Sequence, residues 1–252
     1  MRVLVIENMA HSGLGQVGVA LEEAGAEIDL RQPFVGQALP GDIHGHDALV
    51  VLGGEQSAVD DHIHPYLPEL ARLMRAFADA GKSVLGICLG SQLLARAHGG
   101  DNLLGKTREF GWHEVTLTAE GKRDPVLSAA GSAFKSFELH SDSFTIPPGA
   151  EHLAANPAVA NQAFRIGRAA YGMQFHFEAG TPVVEGWNRT FETVINRIDP
   201  DWLQNYPEHA ARHAEQSDAA GLALARAWVA TIQPAEYVDH GTAGWRASAH
   251  DR

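Results

Sequence analysis

The chain has 252 residues, 45% of them hydrophobic, and a formal net charge of −12. That size suits one large α/β domain, and the acidic balance argues against nucleic acid or an anionic membrane as a partner, since both select a basic footprint. A single cysteine, Cys88, excludes an intrachain disulfide and fits a reducing compartment.

Residues 2–7 are an apolar run that reads as a first strand, with no signal-peptide pattern. Residues 8–13 form a loop, 14–24 repeat apolar positions at helical spacing, and 27–31 alternate as a second strand. Residues 33–46, rich in Gly and Pro, are loop, and 48–52 are a fully apolar strand ending in Gly53-Gly54. Pro65 opens a helix that runs to Ala80 and is closed by Gly81. Residues 83–87 are a buried strand, and a helix follows that stops at Gly99-Gly100. Continuous apolar strands alternating with helices predict an α/β fold with a mainly parallel sheet covered by helices on both faces. From residue 100 the pattern becomes short strands, at 112–118, 134–139, 152–155, 162–166 and 170–175, which predict a small antiparallel addition. Residues 181–197 and 218–232 read as helices, and the polar stretch 199–215, with Pro200 and Pro207, as a surface wrap. A single domain over 1–232 followed by a partly mobile tail, 233–252, is expected. No apolar run approaches the length of about 18 residues that a membrane span needs, so a soluble, cytoplasmic protein is expected.

Cys88 falls on a sharp strand-to-helix turn, with Gly86 and Gly90 two residues to either side. A lone cysteine is most often a small buried hydrophobe. The glycine bracket and the turn favour a nucleophile instead, because the sulfur emerges at a strand's carboxyl end and at a helix N-terminus, where dipole and free N–H groups favour a thiolate. A thiol nucleophile needs a base, and with fourteen histidines only position can choose one. His176 ends an apolar strand, and Glu178 follows two residues later, on the same side of an extended chain. Glu178 can then fix the His176 tautomer, although a capped strand with a solvated glutamate fits the segment equally well.

Together these segments resemble the class I glutamine amidotransferases. Gly86-Ile87-Cys88-Leu89-Gly90-Ser91-Gln92 resembles their nucleophile motif, and Gln174-Phe175-His176-Phe177-Glu178 their Q-F-H-P-E motif. Gly53-Gly54 resembles their oxyanion strand, and Leu139-His140-Ser141-Asp142 the S-H-G-D segment of the GMP synthetase type. The resemblance covers about residues 2–180 and is to free-standing members of that subgroup. It implies a flavodoxin-like three-layer sandwich and a triad of Cys88, His176 and Glu178. It implies an oxyanion hole from the N–H groups of Gly54 and Leu89, and substrate contacts from Gln92, His140, Ser141 and Asp142. The substrate implied is glutamine or a γ-glutamyl compound, cleaved through a γ-glutamyl thioester, with no cofactor and no metal. A synthetase partner chain would receive ammonia. Hydrolysis of γ-glutamyl amides without a partner, or a non-catalytic regulatory module, are the alternatives.

Three positions depart from the family pattern. Phe177 replaces proline, and is expected to alter local geometry while keeping the dyad. Glu55 places a carboxylate at the mouth, where it disfavours an acidic substrate or favours an amine-bearing one. Leu139 stands where Ser or Asn is usual, which removes one side-chain contact to substrate. Other signals are given bland readings. Gly13-Leu14-Gly15-Gln16-Val17-Gly18 matches a dinucleotide fingerprint, but six residues separate it from the first strand, so a helix-opening loop is favoured. His62 and His64 with Asp60 and Asp61 read as a solvated helix entrance rather than a metal site. Trp112 and His113 resemble a G-W-x-x-V element, and are expected to cover the core.

Overall fold

The computed structural model describes residues 1–234, so the expected tail lies, from residue 235 onward, outside the described residues. The first half alternates as expected: β1 (Arg2–Ile6), α1 (Gly15–Glu23), β2 (Glu27–Arg31), β3 (Ala48–Val51), α2 (Leu67–Asp79), β4 (Ser83–Ile87) and α3 (Leu89–Ala97). Then come β5 (Asn102–Leu103), β6 (Glu109–Leu117), β7 (Ala133–His140), β8 (Ser143–Phe144), β9 (Glu151–Ala155), β10 (Ala163–Ile166) and β11 (Ala170–Met173). Three helices close the described chain: α4 (Thr181–Thr190), α5 (Glu192–Ile198) and α6 (Trp202–Val229). No helix among the described residues is long and apolar enough to cross a membrane.

One nine-stranded sheet has the order β2-β1-β3-β4-β11-β10-β9-β6-β7. Its first five strands are parallel, and the remaining four add antiparallel pairs. The mostly parallel sheet with an antiparallel addition is what the pattern predicts, and its flavodoxin-like arrangement is what the resemblance implies. Strands β5 and β8, too short to show in the sequence, form a separate antiparallel pair.

The two-residue period of each strand decides which layer its side chains join. Val3, Val5, Val50, Leu85, Ile87 and Met173 pack with Val17 and Leu21 of α1 and Leu224 and Trp228 of α6. Leu4, Ile6, Leu49, Val51 and Val84 pack with Leu70, Met74 and Phe77 of α2 and Leu93 of α3. Because both faces are covered, these strands read as continuous apolar runs.

A third cluster, around Phe137, Trp187 and Trp202, corrects the reading of residues 199–215. They are not an irregular wrap; from Trp202 onward they form the first half of α6, which lies on the surface and continues through Pro207. The proline and the polar composition hide the helix. Trp202 and Tyr206, one helical turn apart, carry the anchoring: Tyr206 stacks on Trp112 (6.0 Å), and the Trp202 ring packs on Phe110 (4.7 Å) and Phe137 (5.8 Å). Gly111, with φ +93°, admits that ring, since a Cβ there would sit 2.9 Å from it. The expected helix 181–197 is broken at Phe191 into α4 and α5. Strand β6 also starts three residues earlier than expected, at Glu109.

The turn at Cys88 depends on two close backbone approaches. A Cβ at Gly90 would lie 2.1 Å from the Val51 carbonyl oxygen, and one at Gly86 would lie 2.4 Å from the Gly90 carbonyl oxygen. A Cβ at Gly172 would meet the Phe164 ring at the same 2.4 Å, but a ring can rotate where a carbonyl cannot. Gly90→Ala is therefore expected to destabilise the protein by about 2–3 kcal/mol and Gly172→Ala by less. Chemical denaturation of the two variants beside the parent checks the order.

Candidate functional site

Cys88 has φ +51° and ψ −109°, outside the regions an L residue favours. Its N–H donates to the Met173 carbonyl at 2.9 Å, and its own carbonyl accepts from Ser91 Oγ (2.6 Å) and from the N–H groups of Ser91 and Gln92. The main chain is thus fixed to β11 on one side and to α3 on the other. The thiol lies 4.0 Å from the Leu139 carbonyl oxygen of β7. Leu89 opens α3, so its N–H has no acceptor within the helix.

His176 follows β11 and bridges to Phe137 of β7, its N–H donating to the Phe137 carbonyl at 2.8 Å. Its Nδ1 is 2.7 Å from Glu178 Oε1. The chain at 176–178 is not extended: β11 ends at Met173, and the Ala179 N–H closes a turn onto the His176 carbonyl. The two side chains meet, as expected, but through a turn. Burial pulls the His176 pKa down; the facing charges of Glu178 and Cys88 outweigh it and hold the ring well above its ordinary value. Gly53 lies against both groups, since a Cβ there would be 3.0 Å from His176 Cε1 and 4.0 Å from Cys88 Sγ. Asn8, at the end of β1, ties the neighbouring loop: it donates to the Leu52 carbonyl at 2.7 Å and accepts at its own carbonyl from Gln56 Nε2 at 2.6 Å.

All nine residues singled out in the sequence line one cavity of about 570 Å³: Gly54, Cys88, Leu89, Gln92, His140, Ser141, Asp142, His176 and Glu178. Glu55 and Leu139 line it too. Gln92 holds the walls together, its Nε2 donating to the Asp142 carbonyl (3.3 Å) and to Gln174 Oε1 (3.2 Å). Phe177 turns away, into the core beside Phe175, so the replacement of proline leaves the His176–Glu178 pair intact.

In the cavity wall lies a buried ionic group that no sequence motif announces. His140 Nδ1 donates to the Asp142 carbonyl at 2.9 Å, and Nε2 lies 3.2 Å from both Glu109 Oε2 and Glu138 Oε2. Glu109 also accepts from Asn156 (2.7 Å) and Gln162 (2.8 Å). Burial lowers the His140 pKa, but the two carboxylates outweigh it and raise it to about 10. Burial raises the pKa of Glu138. Among the described residues this is the group whose donor atoms are spaced to hold a cation. The protonated ring occupies that role, since both its nitrogens are committed as donors. Elsewhere, Asp61 of the His62–His64 segment is drawn into a two-pronged pair with Arg96, both contacts at 2.6 Å. Trp112 covers the third core cluster as expected, stacking on Tyr206 at 6.0 Å.

A sequence model described as glutamine amidotransferase class-I matches residues 15–186. The chain belongs to the class I glutamine amidotransferase family. It is 32% identical over 189 residues to the glutamine amidotransferase-like protein YfeJ of Salmonella typhimurium, covering 74% of this chain and 79% of that one. It is 31% identical over 187 residues to a glutamine-hydrolysing GMP synthase of Polynucleobacter asymbioticus; that match covers 67% of this chain and 33% of the synthase's length. Among solved structures, a glutamine amidotransferase of Thermotoga maritima superposes with a TM-score of 0.79 at 26% identity, covering 91% of this chain and 96% of that one. One from Methylobacillus flagellatus gives 0.79 at 27%, covering 95% and 98%.

The ionic cluster generates a pH prediction. A pKa raised on folding stabilises the protein fully below the unfolded value, and that contribution is lost as pH rises through the folded value. The stability deficit of His140→Gln against the parent is therefore expected to be largest below about pH 6.5 and to shrink toward pH 10. Urea unfolding of both proteins across that range measures it.

Proposed function

We propose that this amidotransferase-family chain cleaves the γ-amide of glutamine or of a γ-glutamyl compound through a thioester on Cys88. The observation that carries this is the 2.7 Å contact of His176 with Glu178, in a ring that shares its cavity wall with a strained Cys88. His176 takes the thiol proton at Nε2 while Glu178 holds Nδ1–H and supports the imidazolium. The sulfur attacks the amide carbon. The oxyanion that forms accepts hydrogen bonds from the N–H groups of Gly54 and Leu89, each worth about 3 kcal/mol in comparable sites. His176 returns the proton to the departing nitrogen, the C–N bond breaks, and ammonia or an amine leaves. Water, deprotonated by His176, then attacks the thioester, releasing glutamate and restoring the thiol. Gln92 and the backbone of His140, Ser141 and Asp142 hold the α-amino and α-carboxylate ends.

A synthetase partner that accepts the ammonia is a second reading, favoured by the likeness to GMP synthases, of whose length the match covers about a third.

Cys88→Ala is expected to reduce glutamate release at least a thousandfold and to abolish the acyl-enzyme seen by intact mass. Glu178→Gln, which keeps shape but misdirects the tautomer, is expected to lower kcat by about a hundredfold or more with KM little changed. Glutamate release by Cys88→Ala at the parent rate would refute the thioester.

A further inference from the structure

In that chemistry His176 protonates the departing nitrogen, so any group the nitrogen carries must leave beside His176. The wall there is Trp187, whose ring stands nearly perpendicular to the imidazole, at 82° with centroids 5.1 Å apart. Its indole N–H donates to the His11 carbonyl at 3.1 Å, which fixes the ring's place. The same cavity wall continues through Phe191, Val194, Ile195 and Ile198. Positions 191, 194, 195 and 198 repeat at three and four, so one face of the short helix α5 turns toward the cavity. Ile195 is buried, whereas Val194 keeps 45% of its surface exposed. Arg197 lines that wall as well, its side chain making no ion pair or hydrogen bond to any described residue. Glu55 and Arg108, also lining the cavity, are carried by other segments, after β3 and before β6.

Ammonia as the leaving group would use none of this. A cavity of about 570 Å³ exceeds what a single free amino acid fills and lies in the range of larger ligands. We infer that the α4–α5 wall is a leaving-group subsite, and that the substrates are γ-glutamyl amides of α-amino acids with large apolar side chains. The apolar side chain packs on Trp187, Phe191, Val194 and Ile198, and the carboxylate pairs with Arg197. This rests on the thioester chemistry proposed above and adds no step to it: the amide C–N bond breaks, the amino acid's nitrogen takes the His176 proton, and water later frees glutamate from Cys88.

The test is glutamate release by the full chain from glutamine, γ-Glu-Ala, γ-Glu-Phe and γ-glutamyl-phenethylamide. The expected result is a kcat/KM for γ-Glu-Phe at least about tenfold above those for glutamine and γ-Glu-Ala, with the phenethylamide between. Val194→Asp, at an exposed position, should cut the ratio of γ-Glu-Phe to glutamine about tenfold. Arg197→Gln should lower turnover of γ-Glu-Phe relative to the phenethylamide. Wild-type turnover of glutamine equal to or above that of γ-Glu-Phe would overturn the subsite while leaving the thioester standing, and would turn the wall toward a synthetase partner. Absence of glutamate release and of Cys88 acylation with all four compounds would overturn both.

Discussion

The contact on which the site depends is that of α3 with the sheet beneath it. The helix starts one residue after Cys88, and its first turn lies so close to β3 and β4 that no Cβ fits at Gly90 or Gly86. That approach forces the chain through φ +51°, ψ −109° at Cys88, a conformation that costs about 1–3 kcal/mol. Hydrogen bonds to Met173, Ser91 and Gln92 hold it there. With the Cys88 N–H and carbonyl both bound, the side chain is the one part of Cys88 left to meet the cavity.

The opposite wall is held by a comparable device. The Glu178 carbonyl accepts from the N–H groups of Gln16 (2.9 Å) and Gly180 (2.9 Å). Gly15, at φ +46°, lies so near that carbonyl that a Cβ would come within 2.0 Å, and Gly221 of α6 approaches the Phe177 carbonyl as closely, at 2.2 Å. The glycine-rich run 13–18 therefore does open a helix, but its glycine also serves the site. A dinucleotide fingerprint turns its N–H groups to a pyrophosphate; here one of them is spent on the carbonyl of Glu178. The His176–Glu178 turn is thereby clamped between α1, α6 and β7, three elements far apart in sequence.

Much of this was legible because it is written in local terms. The parallel sheet follows from runs that must be apolar on both faces, and Cys88 from glycines that a cramped turn requires. The meeting of His176 and Glu178 was also predicted, though for the wrong backbone reason: a turn brings together what extended spacing had suggested. What escaped lies in pairings between distant segments. Residues 199–215 look like a polar wrap because a few rings, chiefly Trp202, Tyr206 and His213, anchor them, and the partners of those rings, Phe110, Trp112 and Phe137, lie on β6 and β7. Glu109 and Glu138 look like ordinary strand carboxylates until the β6–β7 register places them beside His140. The Leu139 side chain packs against the aromatic cluster, and it is the carbonyl of that residue that approaches the thiol.

The cavity thus contains two buried imidazoles facing carboxylates, and their surroundings separate their roles. His140 donates from both nitrogens, to a backbone carbonyl and to a pair of carboxylates. Losing a proton would leave a carbonyl or two carboxylates without a donor, at a cost of about 1–3 kcal/mol or more for each buried group. It is a fixed cation that holds the Asp142 carbonyl, which in turn receives Gln92. His176 has one carboxylate, on Nδ1, and its second electrostatic partner is the thiol of Cys88. In the proposed chemistry, moving a proton from sulfur to Nε2 exchanges a neutral pair for an ion pair beside Glu178 and orphans no donor. Of the two, only His176 keeps a ring nitrogen free of carboxylate and carbonyl, which is what the thioester chemistry proposed above asks of its base.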